Sequence, residues 1–433
     1  MTAKNDCFDV FPRLVRTEHT AVITIKPWFD HCRFSDGQAY RVTLIPALGL
    51  PGQTSRLDGQ EVSLRPESGI LQVACQFGGE QEYILLVETG EKEPVLLAEF
   101  RLYALADDLF ARRPFKGDIH MHSFRSDGKE SPAYVAGSCR KIGLDFMALT
   151  DHHQYEPSLE AIRSYEKVEV DLRIYPGEEV HAPDNPVHIV NFGGNFSVNE
   201  LFQTDRYWDE VKAVEAALPD LPPGIDRYPY AACVWCFNKI REAGGLGLFC
   251  HPYWFSNHHY DVPEYLTDLI FERQPFDAVE VVGGYRRVEF ESNALQVARY
   301  NDERARGKHL PAVGVSDAHG CSDGELFGWY YTVVFAPSLE LADLIQSIKN
   351  LYSVAVESLP DQAVRAYGPL RLVKYAQFLL REIFPLHDEL CLEEGRLMLA
   401  NAAGEPGAAG GLHTLKGRVE RLYLHLWEAA DQM

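Results

Sequence analysis

The sequence lacks any apolar run long enough to cross a bilayer, since no segment approaches the roughly 18 residues of a helical span. The stretch MTAKNDCFDVFPRL has no basic cluster followed by an apolar run, so no secretory leader is read there. A soluble, cytoplasmic protein is expected. Cysteine is sparse and odd in number, nine residues scattered over 433, which excludes a disulfide framework and suits a reducing compartment. Cys233 and Cys236 form a close pair in YAACVWCFNKIREAGG. No second pair completes a zinc or redox motif and the surrounding pattern is helical, so both are read as buried thiols. Positive charge is short as well. Lys and Arg number 41 against 63 Asp and Glu, a formal net charge of −22. That balance opposes binding to long nucleic acids, because phosphate neutralisation supplies most non-specific affinity. Internal repeats and long low-complexity tracts are missing too.

What is present is a globular composition, 46% hydrophobic and 24% charged, over a length that calls for two or three domains. Residues 1–110 carry short alternating runs (TAVITIKP, YRVTLIPAL, ILQVACQF, EYILLVET, VLLAEFRLYAL) punctuated by turn sequences such as LGLPGQTS and FGGEQ. This pattern predicts an antiparallel β-sandwich, followed by ARRP as a short linker. Over residues 115–337 brief apolar runs alternate with helical segments, which predicts an α/β domain with a parallel sheet or barrel and helices outside. Ser131 followed by Pro132 marks a helix start, and Gly143 a helix end. HAPDNPVHIVNF departs from the alternation and reads as a hairpin that folds His188 back beside Glu179. Residues 338–433 are expected to be a helical C-terminal extension. It has two amphipathic helices, LRLVKYAQFLLREIF and LHTLKGRVERLYLHLWEAADQM, with a flexible AAGEPGAAGG between them.

In the central domain, acidic residues and histidines recur where predicted strands run out. His120 and His122 end the first, with Asp127 close behind, and FMALT runs into Asp151, His152 and His153. Another strand leads through Pro176 and Gly177 to Glu178 and Glu179. The hairpin supplies His188, LGLFC leads to His251, and PAVGVS leads to Asp317 and His319. In an alternating barrel those strand ends gather at one face. Residues two apart on an extended strand share a side, so His120 with His122, and Asp317 with His319 if extended, can chelate one ion. Imidazole and carboxylate together suit zinc, manganese or iron. So many ionisable groups abutting buried strands would be costly without a cation to balance them.

The series DIHMH, SDG, TDHH, PGEE, VHIVNF, HP and SDAH, running from about Phe115 to Pro337, resembles the PHP (polymerase and histidinol phosphatase) family of metal-dependent phosphoesterases. The resemblance implies a distorted (β/α)7 barrel holding two to three divalent transition-metal ions. It places His120, His122, Glu179 and Asp317 around one ion, Glu179 as a bridge to a second held also by His188 and His251, and Asp127, His152 and His319 around a third. The family's glutamate follows glycine by two positions, which selects Glu179 over Glu178. Asp118 and Asp151 are read as partners that orient imidazoles.

Three dications against the carboxylates of Asp127, Glu179 and Asp317 would leave a positive centre in an acidic protein, a fit for a small phosphorylated substrate. Glu179, Asp317 and His319 are the residues assigned to catalysis. Arg125, Arg286 and Arg287 are candidates for a substrate anion. His153, His181, His258 and His259 are expected outside the ligand set, and Tyr253 and Trp254 in packing or stacking. The leading reading is a hydrolase of small phosphate esters. Cleavage of a carboxyl or carbamate ester is the rival enzyme, and a metal-dependent carbohydrate- or partner-binding protein the rival of another class.

Overall fold

Every second residue of Tyr40–Pro46, Leu71–Phe77 and Gln81–Thr89 is buried, the period by which a strand turns one face to a core and the other to water. The computed structural model describes residues 7–50, 59–90, 93–221, 224–322 and 324–428. The chain is a mixed α/β protein that divides into two units. The first comprises Met1–Arg113, Gln377–Pro385 and Gly417–Met433. Its three-stranded sheet has the order Phe8–Phe11, His19–Pro27, Leu71–Phe77. Its five-stranded sheet has the order Leu14–Arg16, Leu96–Leu105, Gln81–Thr89, Tyr40–Pro46, Gln60–Leu64. Pairing is antiparallel except between Leu14–Arg16 and Leu96–Leu105. Ile23, Ile25 and Leu71 of one sheet share a core with Val42, Leu85 and Phe100 of the other. The LGLPGQTS turn falls partly outside the described residues.

The second unit comprises Pro114–Ala376 and Leu386–Lys416. Its six-stranded sheet has the order Arg173–Tyr175, Phe146–Ala148, Arg113–Asp118, Tyr330–Ala336, Ser353–Glu357, Arg365–Tyr367, and the first three strands are parallel. Its five-stranded sheet has the order Gly177–His181, His188–Phe192, Leu246–Phe249, Ala278–Gly283, Ala312–Val315. The last three of these are parallel and buried at every residue, as strands covered on both faces must be. The expected hairpin is there, with Glu179 opposite Val190 and His181 opposite His188. Helices alternate with the strands from Pro132–Lys141 to Phe290–Ala305. The first opens as the sequence predicts, with Ser131 Oγ accepting from Tyr134 N, and Gly143 beyond its end takes φ +91, a conformation that glycine alone adopts at no cost.

Four expectations for the C-terminal stretch are corrected. Residues beyond Pro337 are not all helical: Ser353–Glu357 and Arg365–Tyr367 pair antiparallel onto Tyr330–Ala336 and extend its sheet. A further helix, Phe384–Ala402, escaped notice because it lacks a clean apolar stripe and buries charge instead. The second amphipathic segment is broken into Ala408–Leu415 and Arg418–Leu426 at Gly417, whose φ of +72 ends one helix and starts the next. Its last residues, 429–433, are not described, and AAGEPGAAGG is partly helical rather than a plain linker.

The charge buried by Phe384–Ala402 lies in the second unit. Arg140, fully buried, bonds Glu394 Oε2 at 2.7 Å and Asp145 Oδ1 at 3.1 Å. Asp145 also receives His387 Nε2 at 2.8 Å and the Lys116 backbone N–H at 3.0 Å. Burial works against the Asp145 anion, but His387 and Arg140 outweigh it and hold its pKa down to about 2 from an ordinary 3.8. A carboxyl depressed in this way stabilises the fold above pH 3.8, and the contribution is lost as pH falls towards 2. Asp145→Asn removes the anion that Arg140 and His387 share, leaving them only Glu394 and Asp388, and is expected to lower unfolding free energy by about 3–5 kcal/mol at neutral pH. Urea denaturation measures it; a loss below about 1 kcal/mol would show that water reaches the network.

Candidate metal centre

Strands of both sheets run out at one cluster. Arg113–Asp118 leads to His120 and His122, Phe146–Ala148 to Asp151 and His152, Leu246–Phe249 to His251, and Ala312–Val315 to Asp317 and His319. Glu179 and His188 lie on the two arms of the hairpin. Backbone bonds continue past the strands and tie these ends together: Thr150 N to Met121 O at 2.8 Å, Glu179 N to Asp151 O at 3.3 Å, Asp317 N to His120 O and His122 N to Ala318 O at 2.9 Å. His153, His251 and Asp317 take positive φ values of 58, 24 and 50, a conformation that costs a residue with a Cβ on the order of 1–3 kcal/mol. The extended geometry that would let Asp317 and His319 chelate together is therefore not adopted. The chain turns at Asp317, His319 Nδ1 sits 2.8 Å from the Asp317 carbonyl, and the two side chains go to different partners.

Glu179 is fully buried, and six imidazoles approach its two oxygens. His152 and His188 Nδ1 stand at 2.6 and 2.9 Å, His251 Nε2 at 3.4 Å, and His120, His122 and His181 Nε2 at 3.5 Å. Neither oxygen has a well-formed hydrogen bond, nor has either ring nitrogen of His120. Buried polar atoms left so cost about 1–3 kcal/mol each, and a cation among them would remove that cost. His120 and His122 Nε2 are also 3.3 and 2.9 Å from Asp317 Oδ1, which makes one donor set. His188 and His251 face the other oxygen of Glu179. Asp127 Oδ2 lies 3.3 Å from His319 Nε2 and 3.5 Å from His152 Nε2. All nine residues expected to ligate are thus brought together, and His122–Asp127–His152–His319, His120–His251–Asp317 and His120–His122–Glu179 each have ligand atoms within 4.8 Å of one another.

Their protonation suits ligation. Burial alone would neutralise Glu179, but the positive charge of His188 and His120 holds it well below the usual carboxylate range. Asp317 is held low against burial by His120 and His122. Burial takes His122 and His181 down to about 4. Burial also disfavours charge on His120, yet the neighbouring Asp317 and other anions raise it. Against their burial, His152 and His251 are likewise raised by Glu179 and neighbouring anions, whereas burial lowers His188. The anionic carboxylates and the imidazoles of His122, His181 and His188 are thus the groups that present lone pairs to a cation.

Other residues land differently. Glu178 points away and accepts from Asn191 Nδ2, Ser197 Oγ, Val198 N and Asn199 Nδ2, so it pins the loop after the hairpin. Asp118 and Asp151 orient backbone rather than imidazoles: Asp118 Oδ1 accepts from His120 N and Ser316 N, and Asp151 from the N–H and hydroxyl groups of Ser123 and Ser126. Burial raises Asp118 to about 7. Sequence reasoning missed Glu280, which accepts from His251 N at 3.1 Å and stands 3.8 Å from His120 Nδ1. Its signal was legible, a lone charge in the fully buried strand AVEVVG. Arg125 is half exposed and bonded to Glu160 at 2.8 Å. Arg286 and Arg287 line a cavity of about 690 Å³ with Glu357, Arg365 and Tyr367, and none of the nine residues lines it. Tyr253 is buried, and the Trp254 ring lies 5.8 Å from His251 and 6.2 Å from His188. His258 and His259 are exposed beside it in sequence.

No family model matches the chain. Over 57 residues it is 44% identical to the DNA polymerase/3'-5' exonuclease PolX of Bacillus subtilis, a match covering 13% of this chain and 10% of that one. The solved structures it is similar to include a two-domain protein from Bacteroides vulgatus containing a "predicted PHP-like metal-dependent phosphoesterase", at 20% identity and a TM-score of 0.40. That match covers 57% of this chain and 65% of the other, so this chain spans under two thirds of that structure. Another, from Bifidobacterium adolescentis and named as a candidate metal-dependent phosphoesterase, is 22% identical with a TM-score of 0.33, covering 48% of this chain and 89% of its own.

The two adjacent glutamates separate cleanly by substitution. Glu179→Gln should lose most bound divalent ion by elemental analysis, because it removes the one carboxylate that all six imidazoles approach and leaves His188 and His251 without the oxygen they share. Glu178→Gln should retain the ion but melt earlier, at a cost of about 1–3 kcal/mol, since the amide brings a donor to a site built from donors. Equal metal loss in both variants would contradict this division.

Proposed function

We propose that this chain is a PHP-family hydrolase that cleaves phosphate esters of small molecules at a centre in its second unit. The finer reading of the fold, a distorted (β/α)7 barrel for the second unit and a β-sandwich for the first, belongs to the same proposal. The observation that carries it is Glu179: an anion fully buried, ringed by six imidazoles, with neither oxygen hydrogen-bonded. A site of that kind is satisfied by cations and by little else. His120, His122, Glu179 and Asp317 would hold one ion, Glu179, His188 and His251 a second, and Asp127, His152 and His319 a third.

Two to three manganese, zinc or iron ions held there would acidify a water and polarise a phosphoryl group. The protein's share is position and charge. Glu179, His120 and His122 have fully buried side chains, whereas Asp127 and His319 expose 56% and 35% of theirs. The Asp127–His319 side is thus the mouth, where an ester meets solvent and where its leaving group departs. His319, its Nδ1 fixed near the Asp317 carbonyl, presents Nε2 to that mouth. Asp118 and Asp151 hold the loops that carry these groups by their backbones, so the geometry is set before substrate arrives. Three dications against three carboxylates leave the centre positive, which favours a phosphate over a neutral ester. Arg125, near the first loop, and Arg286 and Arg287, in their separate cavity, are the proposed anchors for a remote anionic group. The net charge of −22 favours small substrates over long nucleic acid, and no described helix could cross a membrane. A cytoplasmic setting completes the proposal.

With manganese, zinc or iron supplied, hydrolysis of some phosphoester in a broad panel is expected. Chelation should abolish it, inorganic phosphate should compete, and no covalent enzyme intermediate should accumulate. Arg287→Ala should raise KM for the preferred ester with kcat kept, the mark of uniform binding of a distant anion. Turnover confined to neutral carboxyl esters, without inhibition by phosphate, would overturn the phosphoesterase reading and leave the metal centre standing.

A further inference from the structure

The first unit holds a second constellation of metal-binding chemistry. Cys7 precedes the strand Phe8–Phe11, whose register pairs Phe8 with Pro27. The backbone bond from Trp28 N to Cys7 O, 2.8 Å, fastens it beside the short turn Asp30–Cys32. That turn is closed by Cys32 N bonding Phe29 O at 3.0 Å, and it carries His31 and Cys32 as neighbours. The His31 ring stacks on Phe29, with centroids 5.7 Å apart and planes 19° from parallel, and its Nε2 comes within 3.8 Å of Cys7 Sγ. The ligand atoms of Cys7, His31 and Cys32 all lie within 4.8 Å of one another, and neither cysteine enters a disulfide.

These separations have a physical scale. Tetrahedral zinc with bonds of about 2.3 Å to sulfur and about 2.0 Å to nitrogen sets sulfur and nitrogen about 3.6 Å apart, and two sulfurs about 3.8 Å apart. The Cys7–His31 distance of 3.8 Å already sits near that value. Thiolate and imidazole donors also differ in kind from the carboxylate-rich centre of the second unit: soft sulfur selects zinc-like ions over magnesium or calcium. His31 and Cys32 also line a cavity of about 280 Å³ together with Arg33, Tyr40 and Phe8, so a ligand could approach the ion there.

We propose that Cys7, His31 and Cys32 bind one zinc ion through two thiolates and one imidazole, with the fourth position left to water or an incoming ligand. The site is independent of the hydrolytic reading, because its residues lie in the other unit and none of them belongs to the cluster around Glu179.

The test uses the full chain, stripped of metal under reducing conditions and then loaded with cobalt(II) or zinc(II). Wild type should show the intense near-ultraviolet absorption of thiolate-to-cobalt charge transfer, and the Cys7→Ser/Cys32→Ser variant should lose it. Zinc content should fall by one ion per chain in that variant while any phosphoester hydrolysis is kept. A second measurement needs no substitution: zinc should slow alkylation of Cys7 and Cys32 in wild type about tenfold, read by peptide mass spectrometry. A charge-transfer band that survives in the variant, or alkylation of both thiols at rates that zinc does not change, would overturn the proposal.

Discussion

A carboxylate sealed from water among six imidazoles is the constraint on which the second unit turns. Glu179 has no exposure and no completed hydrogen bond, yet the surrounding positive charge keeps it ionised. Such an arrangement is unfavourable by itself. It is held in place by bonds between strand ends rather than by the side chains that crowd it. The bridges between His152 and Glu179, and between Met121 and Ala318, join the backbone of segments from both sheets, and the buried carboxyls of Asp118, Asp151, Glu178 and Glu280 accept from nearby N–H groups. The cluster is therefore framed by a second layer of carboxylates whose work is to fix loops.

That layering explains what could be read from sequence. Most of the candidate ligands (His120, His122, His152, His251, Asp317 and His319) were legible because they follow apolar runs, and burial of such runs forces their ends into a common place. The hairpin was legible because a turn sequence stood where a helix would have been needed. Glu178 and Glu179 could be told apart only through resemblance, since an alternating strand shows that neighbours face opposite ways without saying which face is the cluster. The framing role of Asp118 and Asp151 was misassigned for a related reason: a carboxylate beside a histidine in sequence can reach the backbone more easily than the ring. The turn at Asp317 was not legible because nothing in SDAH announces a left-handed residue.

The C-terminal stretch was read least well, and again the cause is physical. Phe384–Ala402 satisfies buried Arg140 and the Asp145 carboxylate through Glu394 and His387. Polar residues on that helix therefore face inward, against the rule that charge marks a solvent face. The strands Ser353–Glu357 and Arg365–Tyr367 are too short and too near a helical pattern to stand out, although they complete a sheet.

The hairpin has a consequence for how the centre comes into being. Glu179, His181 and His188 are neighbours along the chain and meet through a local turn, whereas His122 and Asp317 meet across a separation of 195 residues. Local closure is fast, and distant closure waits for the intervening sheet. The topology thus favours an order of assembly in which Glu179, His181 and His188 come together first, as an unfinished cup. The cup closes only when the last parallel strand arrives, so an ion present during synthesis would meet a wider opening than the Asp127–His319 side of the finished protein.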